Sequence, residues 1–155
     1  MSKKDLKYFM RNTEPEVVTA PGPETFKDEN GEVIQFEIKV LTQAEIQKIN
    51  DAYRSRKIAT DKRGNPLIAN GEVVWKTERD YAKATRHIIA EALQYPDLKD
   101  KALMEHYKCV DITEMPLLVF PRADEFQHVS RIVMSALGIG DFESDEEETL
   151  KDAKN

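Results

Sequence analysis

The chain has 155 residues, 34% of them charged, and 23 Lys and Arg against 29 Asp and Glu give a formal charge of −6 with the three histidines neutral. That length suits one domain, and the acidic balance argues against a nucleic-acid binder, which needs a positive surplus to meet phosphates. Leu, Ile, Val and Phe supply 37 residues, about 24%, above the roughly 20% below which chains stay disordered, so a buried core is expected.

Cys109 is the single cysteine, so no disulfide can form within the chain. Met1-Ser2-Lys3-Lys4-Asp5 is basic but is not followed by the apolar stretch of a secretory leader. The longest apolar runs, such as Leu117-Leu118-Val119-Phe120, fall far short of the about 20 residues that cross a bilayer. The expectation is a soluble protein of a reducing cytoplasm, without membrane contact.

Residues 1–23 read as an extended arm. Leu6, Tyr8, Phe9 and Met10 form a small apolar cluster, and Glu14-Pro15-Glu16 and Pro21-Gly22-Pro23 interrupt regular structure. Residues 24–41 read as a β-hairpin turning at Asn30-Gly31. Its return strand alternates, with Ile34, Phe36, Ile38 and Val40 on one face and Gln35, Glu37 and Lys39 on the other. A helix should follow, opened by the capping-box spacing of Thr42 and Glu45, with Ile46, Ile49 and Tyr53 on its inner face. Arg54, Arg56 and Lys57 then suit its C-terminal end. Turns at Asp61–Pro66 and Asn70-Gly71 predict either a small second hairpin near 66–76 or a loop carrying Trp75.

Thr77-Glu78-Arg79-Asp80 should cap a longer helix reaching about Tyr95, where Pro96 ends it. Asp100 should cap a short helix through Leu103, Met104 and Tyr107. Thr113 should open another through Met115, Leu117 and Leu118, and a final helix should run from about Ala123 to Leu137, stopped at Gly138. Residues 141–155 hold seven acids and two lysines, a charge of −5 that leaves the rest near neutral, and read as an acidic disordered tail. The expected architecture is α+β: a single domain over 24–140, with an N-terminal hairpin packed on four or five helices.

Catalytic chemistry is sparse. His87, His106 and His128 stand about twenty residues apart, and His106 with Cys109 offers two donors where a zinc site needs four or three. No phosphate-binding loop, nucleophile elbow or metalloprotease string occurs. The acidic run from Asp141 to Glu148 lacks the glycine of a calcium loop. Arg54, Arg56, Lys57, Lys62 and Arg63 make a local basic patch, more simply read as a charged helix end entering a turn. Neither a catalytic residue nor a cofactor or metal site is expected. The features above background are apolar: Met115, Leu117 and Leu118 in the run before Pro121, and Phe126, Val129, Ile132 and Val133 on the last helix. They are either core or a partner-binding surface.

In the order of its pieces the chain resembles the XkdN-like tail assembly chaperones of contractile-tailed phages and defective prophages of Gram-positive bacteria. The resemblance rests on Glu14-Pro15-Glu16; on Phe26-Lys27-Asp28-Glu29-Asn30-Gly31-Glu32-Val33; on Leu41-Thr42-Gln43-Ala44-Glu45-Ile46; on Tyr95-Pro96-Asp97-Leu98-Lys99-Asp100 with Leu103 and Tyr107; and on Pro121 with Glu125-Phe126. It spans roughly residues 6–140. The family commonly has Tyr-Gly where this chain has Tyr107-Lys108, and a tight Pro-Gly turn where it has Pro121-Arg122-Ala123-Asp124. The resemblance implies a non-catalytic assembly factor of the bacterial host cytoplasm. Such a factor would keep the tape measure protein soluble, help recruit tail-tube subunits, and be absent from the mature virion; self-association stays open. The alternatives are a structural or connector component retained in the tail, or an acidic regulatory binding protein.

Overall fold

The computed structural model describes residues 4–12 and 14–139; the acidic segment 141–155 lies outside them. A 3₁₀ turn at Leu6–Phe9 is capped by Asp5, whose carboxylate accepts the Lys7 amide at 2.9 Å. Strand β1, Val17–Pro21, follows within the segment expected to be an arm. It pairs antiparallel with β2, Gln35–Lys39, from Val17 opposite Lys39 to Pro21 opposite Gln35. The partner of the alternating strand is thus Val17-Val18-Thr19-Ala20, and not the residues beside the Asn-Gly turn. That turn is real but subsidiary. Lys27 and Val33 form one bridge around it, the Asp28 carboxylate accepts the Asn30 and Glu32 amides at 2.8 and 3.0 Å, and Gly31 takes φ +78°.

Helix α1, Gln43–Ala52, starts as expected, with the Thr42 hydroxyl accepting the Glu45 amide at 3.2 Å. It ends earlier than its basic sequel suggests. Arg54–Ile58 is strand β3, which pairs antiparallel with β6, Trp75–Arg79. Between them the short strands β4, Ile68–Ala69, and β5, Glu72–Val73, close on Asn70-Gly71. Both turn residues have positive φ, as the favoured two-residue hairpin requires. The second hairpin therefore exists, but it is the tip of a longer ribbon over 54–79, and Thr77 lies in a strand. The true cap of helix α2, Tyr81–Ala92, is Asp80, which accepts the Lys83 amide at 3.0 Å.

α2 stops at Ala92, and Leu93–Tyr95 becomes strand β7, pairing with β2 as the third strand in the order β1-β2-β7. The α conformation is disfavoured before Pro96, and the extended residues gain a sheet partner. Helix α3, Lys101–His106, has the expected Asp100 cap. Helix α4, Met115–Val119, begins two residues after Thr113, whose amide and hydroxyl are held by the Asp111 carboxylate in the preceding turn at 2.9 and 2.8 Å. Those two donors hold Asp111 below the usual carboxylate range. Helix α5, Ala123–Ala136, ends in a Schellman motif in which the Gly138 amide donates to the Ser135 carbonyl and the Ile139 amide to that of Met134. The fold is α+β, with the strands mostly in the first half and the helices later.

The core lies between the three-stranded sheet and the helices. β2 contributes Phe36 and Ile38; α1 contributes Ile46 and Ile49; α2 contributes Ile88, Ile89, Ala90 and Ala92; Met115, Val119 and Phe120 close it with Val129 and Val133 of α5. The Phe36 ring sits 5.9 Å from that of Phe120, and Phe26 meets Phe120 edge-on at 5.7 Å. Gly22 also lies against Phe36: a Cβ there would fall 2.5 Å from the ring. We expect Gly22→Ala to lower stability by about 1–3 kcal/mol through overpacking, read as a shifted urea midpoint.

Lys108 takes the left-handed conformation, φ +51°, at the end of α3, where its amide donates to Glu105 and the Cys109 amide to Met104. This is the glycine position of a Schellman motif, and it is where the XkdN-like pattern carries Tyr-Gly. A left-handed non-glycine residue costs about 1–2 kcal/mol. Lys108→Gly should therefore raise stability by about 1 kcal/mol, after the extra chain entropy of glycine is deducted; an unchanged or lower melting temperature would contradict this.

Candidate functional site

The seven residues singled out on α4 and α5 divide by burial. Met115, Val129 and Val133 are fully buried in the core cluster. Phe126 and Ile132 are half-buried and pack against that same cluster. Leu117 and Leu118 stay outside it, at 42% and 38% exposure. Helical geometry explains the split. On α4, Met115, Pro116 and Val119 face inward, so positions 117 and 118 turn outward. On α5, Glu125, Val129 and Val133 repeat every four residues along the buried stripe, and Phe126 and Ile132 flank it. Further apolar surface is exposed at Val110, at 97%, and at Leu6, Tyr8, Phe9 and Met10 of the N-terminal turn.

α5 is tied to the sheet by polar contacts that no local pattern announces. The Thr25 hydroxyl donates to the buried Glu125 carboxylate at 2.6 Å across a hundred residues of chain. The His128 ring Nε2 lies 2.8 Å from the Pro21 carbonyl. Glu125 is the acid of the Glu-aromatic pair, so its place in the pattern has a physical reason: it anchors the first turn of α5 to the loop after β1. Where a Pro-Gly turn was the commoner form, Arg122 is extended at the N-cap position of α5, makes no side-chain cap bond there, and its guanidinium grips Asp124 through two contacts of 3.1 Å.

A second polar group joins α1 to α2. The Tyr53 hydroxyl and His87 Nδ1 share a hydrogen bond of 2.6 Å, His87 Nε2 stands 3.5 Å from Glu91, and Glu91 pairs with Lys99 at 2.9 Å. Burial pushes the Tyr53 phenol above its ordinary range. Burial also works to raise Glu91, but the Lys99 ammonium outweighs it and the carboxyl stays below its usual range. Beside them an open cleft of about 410 Å³ is lined by Glu37, Lys39, Glu91, Leu93, Gln94, Asp97 and Lys99. Its charges are mixed, and the Glu91–Lys99 pair across it helps hold the end of α2 to the turn after β7. Among the described residues no group of three or more His, Cys, Asp and Glu is placed to hold a metal ion, and no helix is long and apolar enough to cross a membrane.

A helical half that presents leucines to solvent, locked to a small sheet, is an architecture suited to work by contact. The model for the phage XkdN-like tail assembly chaperone protein matches residues 6–154. The chain belongs to that family of phage tail assembly chaperones. It is 30% identical, over 97% of its length and 94% of the relative's, to the phage-like element PBSX protein XkdN of Bacillus subtilis (strain 168). It is also 30% identical, over 97% of its length and 93% of the relative's, to the uncharacterized protein YqbN of the same strain. The crystal structure of YqbN shares the fold, with a TM-score of 0.67 at 23% identity, covering 89% of this chain and 99% of that one.

The Thr25–Glu125 bond gives a direct test of how α5 is held. Thr25→Val removes the donor and leaves a buried carboxylate short of a partner, so stability should fall by about 1–3 kcal/mol. Thr25→Ser should stay close to the parent in the same denaturation measurement.

Proposed function

We propose that this chain is a tail assembly chaperone that binds the tape measure protein in the host cytoplasm, keeps it soluble and helps bring tail-tube subunits to it. The observation that carries this reading is the family match over residues 6–154. Its physical support is the exposed Leu117–Leu118 pair, flanked in the chain by the exposed Val110 and followed by the half-buried Phe126 and Ile132. Apolar side chains at a surface are stabilised by covering an apolar helix of a partner. Met115, Val129 and Val133 would serve beneath this surface, holding α4 and α5 in place. The acidic residues 141–155 would add like charge that keeps the loaded complex dispersed.

Co-expression with the tape measure protein encoded in the same phage or prophage genome tests this. The tape measure protein should move into the soluble fraction and co-purify with the chaperone, and mass spectrometry should not find the chaperone in finished particles. The double variant Leu117→Asp, Leu118→Asp should lose most of the co-purification. Its own stability should change by less than about 1 kcal/mol, because exposed positions contribute little to folding. A tape measure protein that stays insoluble and uncomplexed would sink the reading.

A further inference from the structure

The β3–β6 ribbon is not needed for the core. Among the described residues the core cluster takes nothing from 54–79, and every residue of β3 is exposed. Yet the ribbon carries Trp75, the chain's one tryptophan, at 52% exposure, with Ile58 beside it and Ile68 at its tip at 69%.

Its two faces differ. Directly opposed residues of an antiparallel pair share a face and alternate along each strand. The register places Ser55, Lys57, Lys76 and Glu78 on one face. That face compensates itself, because Glu78 binds both Lys57 at 2.9 Å and Lys76 at 3.1 Å. The other face holds Arg54, Arg56 and Ile58 opposite Arg79, Thr77 and Trp75, with no acid among these strand residues. There the Arg56 guanidinium stacks 5.0 Å over the Trp75 ring, and Arg54 reaches Asp51 of α1 at 3.0 Å.

The charge is segregated as well. Residues 54–79 contain seven Lys and Arg and three acids, a charge of +4 in a chain of −6, so the remainder stands at −10. Among the described residues this sheet has two strands, so each strand of the ribbon has one edge that no described strand pairs.

We propose that the ribbon is a docking element in its own right, and that its Arg54, Arg56, Arg79, Trp75 and Ile58 face takes an extended acidic segment of a partner polypeptide that also carries apolar side chains. Carboxylates meet the arginine forks, apolar side chains cover Trp75 and Ile58, and the open edges offer backbone hydrogen bonds to an added strand. Nucleic acid fits less well. One aromatic ring makes no stacking platform for successive bases. The inference stands apart from the Leu117–Leu118 surface and does not depend on what binds there.

The full-length chain can be titrated with a fluorescein-labelled twelve-residue peptide that alternates Glu and Asp with Leu and Phe. Trp75 emission and peptide anisotropy are the two readouts. Binding should shift the Trp75 emission and weaken as salt rises. Arg56→Glu should weaken it by about tenfold or more, while Lys57→Glu on the opposite face should change it by no more than about twofold. Far-UV circular dichroism melts of both variants should match the parent, because neither residue touches the core. The proposal is overturned if the same peptide with Lys in place of its acids binds equally well, if Arg56→Glu leaves the affinity unchanged, or if a fifteen-residue oligothymidylate binds more tightly at the same salt. A concentration-dependent dimer that Arg56→Glu abolishes would assign the face to a second copy and overturn it too.

Discussion

The packing of Phe36 is the contact on which the rest of the structure depends. Its ring is met by the backbone at Gly22 and by the ring of Phe120. These residues lie after β1, within β2 and just before α5, so one side chain registers the sheet edge, the sheet centre and the helical half together. The strand alternation puts Phe36 and Ile38 on the buried face, and a one-residue slip would expose both. The missing side chain at position 22 lets the backbone lie against the ring. Phe26 then braces Phe120 from the loop that carries the Asp28 turn.

The polar contacts complete what the aromatic cluster positions. Glu125 is buried at the start of α5 and accepts the Thr25 hydroxyl from the same loop that places Phe26. A buried carboxylate without a donor would be costly, so this bond works only if α5 and the loop meet in one arrangement. His128 adds a second contact to the end of β1. The exposed leucines of α4 follow from this. With Met115, Pro116, Val119 and Phe120 committed to the core, residues 117 and 118 have no inward direction left.

How much of this could be read beforehand depends on range. The Thr42, Asp100 and Gly138 signals act within a few residues, and the structure places each where its chemistry requires. The alternation of β2 is equally local. Its partners were not legible: β1 sits between proline-rich breaks that suggest an arm, and β7 is three residues that a helical stripe would otherwise claim. The ribbon escaped for a different reason. Arg-Ser-Arg-Lys-Ile has no apolar alternation because neither face of β3 is buried, so a basic helix end was the simpler reading. The stripe on α5 was visible, but periodicity identifies an apolar face without showing what covers it. Among the described residues Val129 and Val133 are fully buried, whereas Leu117 and Leu118 keep part of their surface exposed.

The ribbon raises a question of stability, because an isolated two-stranded hairpin is marginal in water. The answer lies at its base. Tyr53 ends α1 and Asp80 caps α2, and the Asp80 amide donates to the Tyr53 carbonyl at 3.0 Å just below the first ribbon pair. α1 and α2 are packed through the core, with Tyr53 bound to His87, so the two strands leave the body at a separation already set for pairing. Further out, Ala59 bonds to both Val74 and Leu67, and the Val74 amide returns to Leu67, which ties the tip to the shaft. The helices therefore meet the entropic cost of closing the ribbon, and its faces need not be buried to keep it folded. The same arrangement explains its arginines and lysines. A long exposed edge invites pairing with any other chain, and positive charge along it repels copies of itself while leaving it open to an acidic strand.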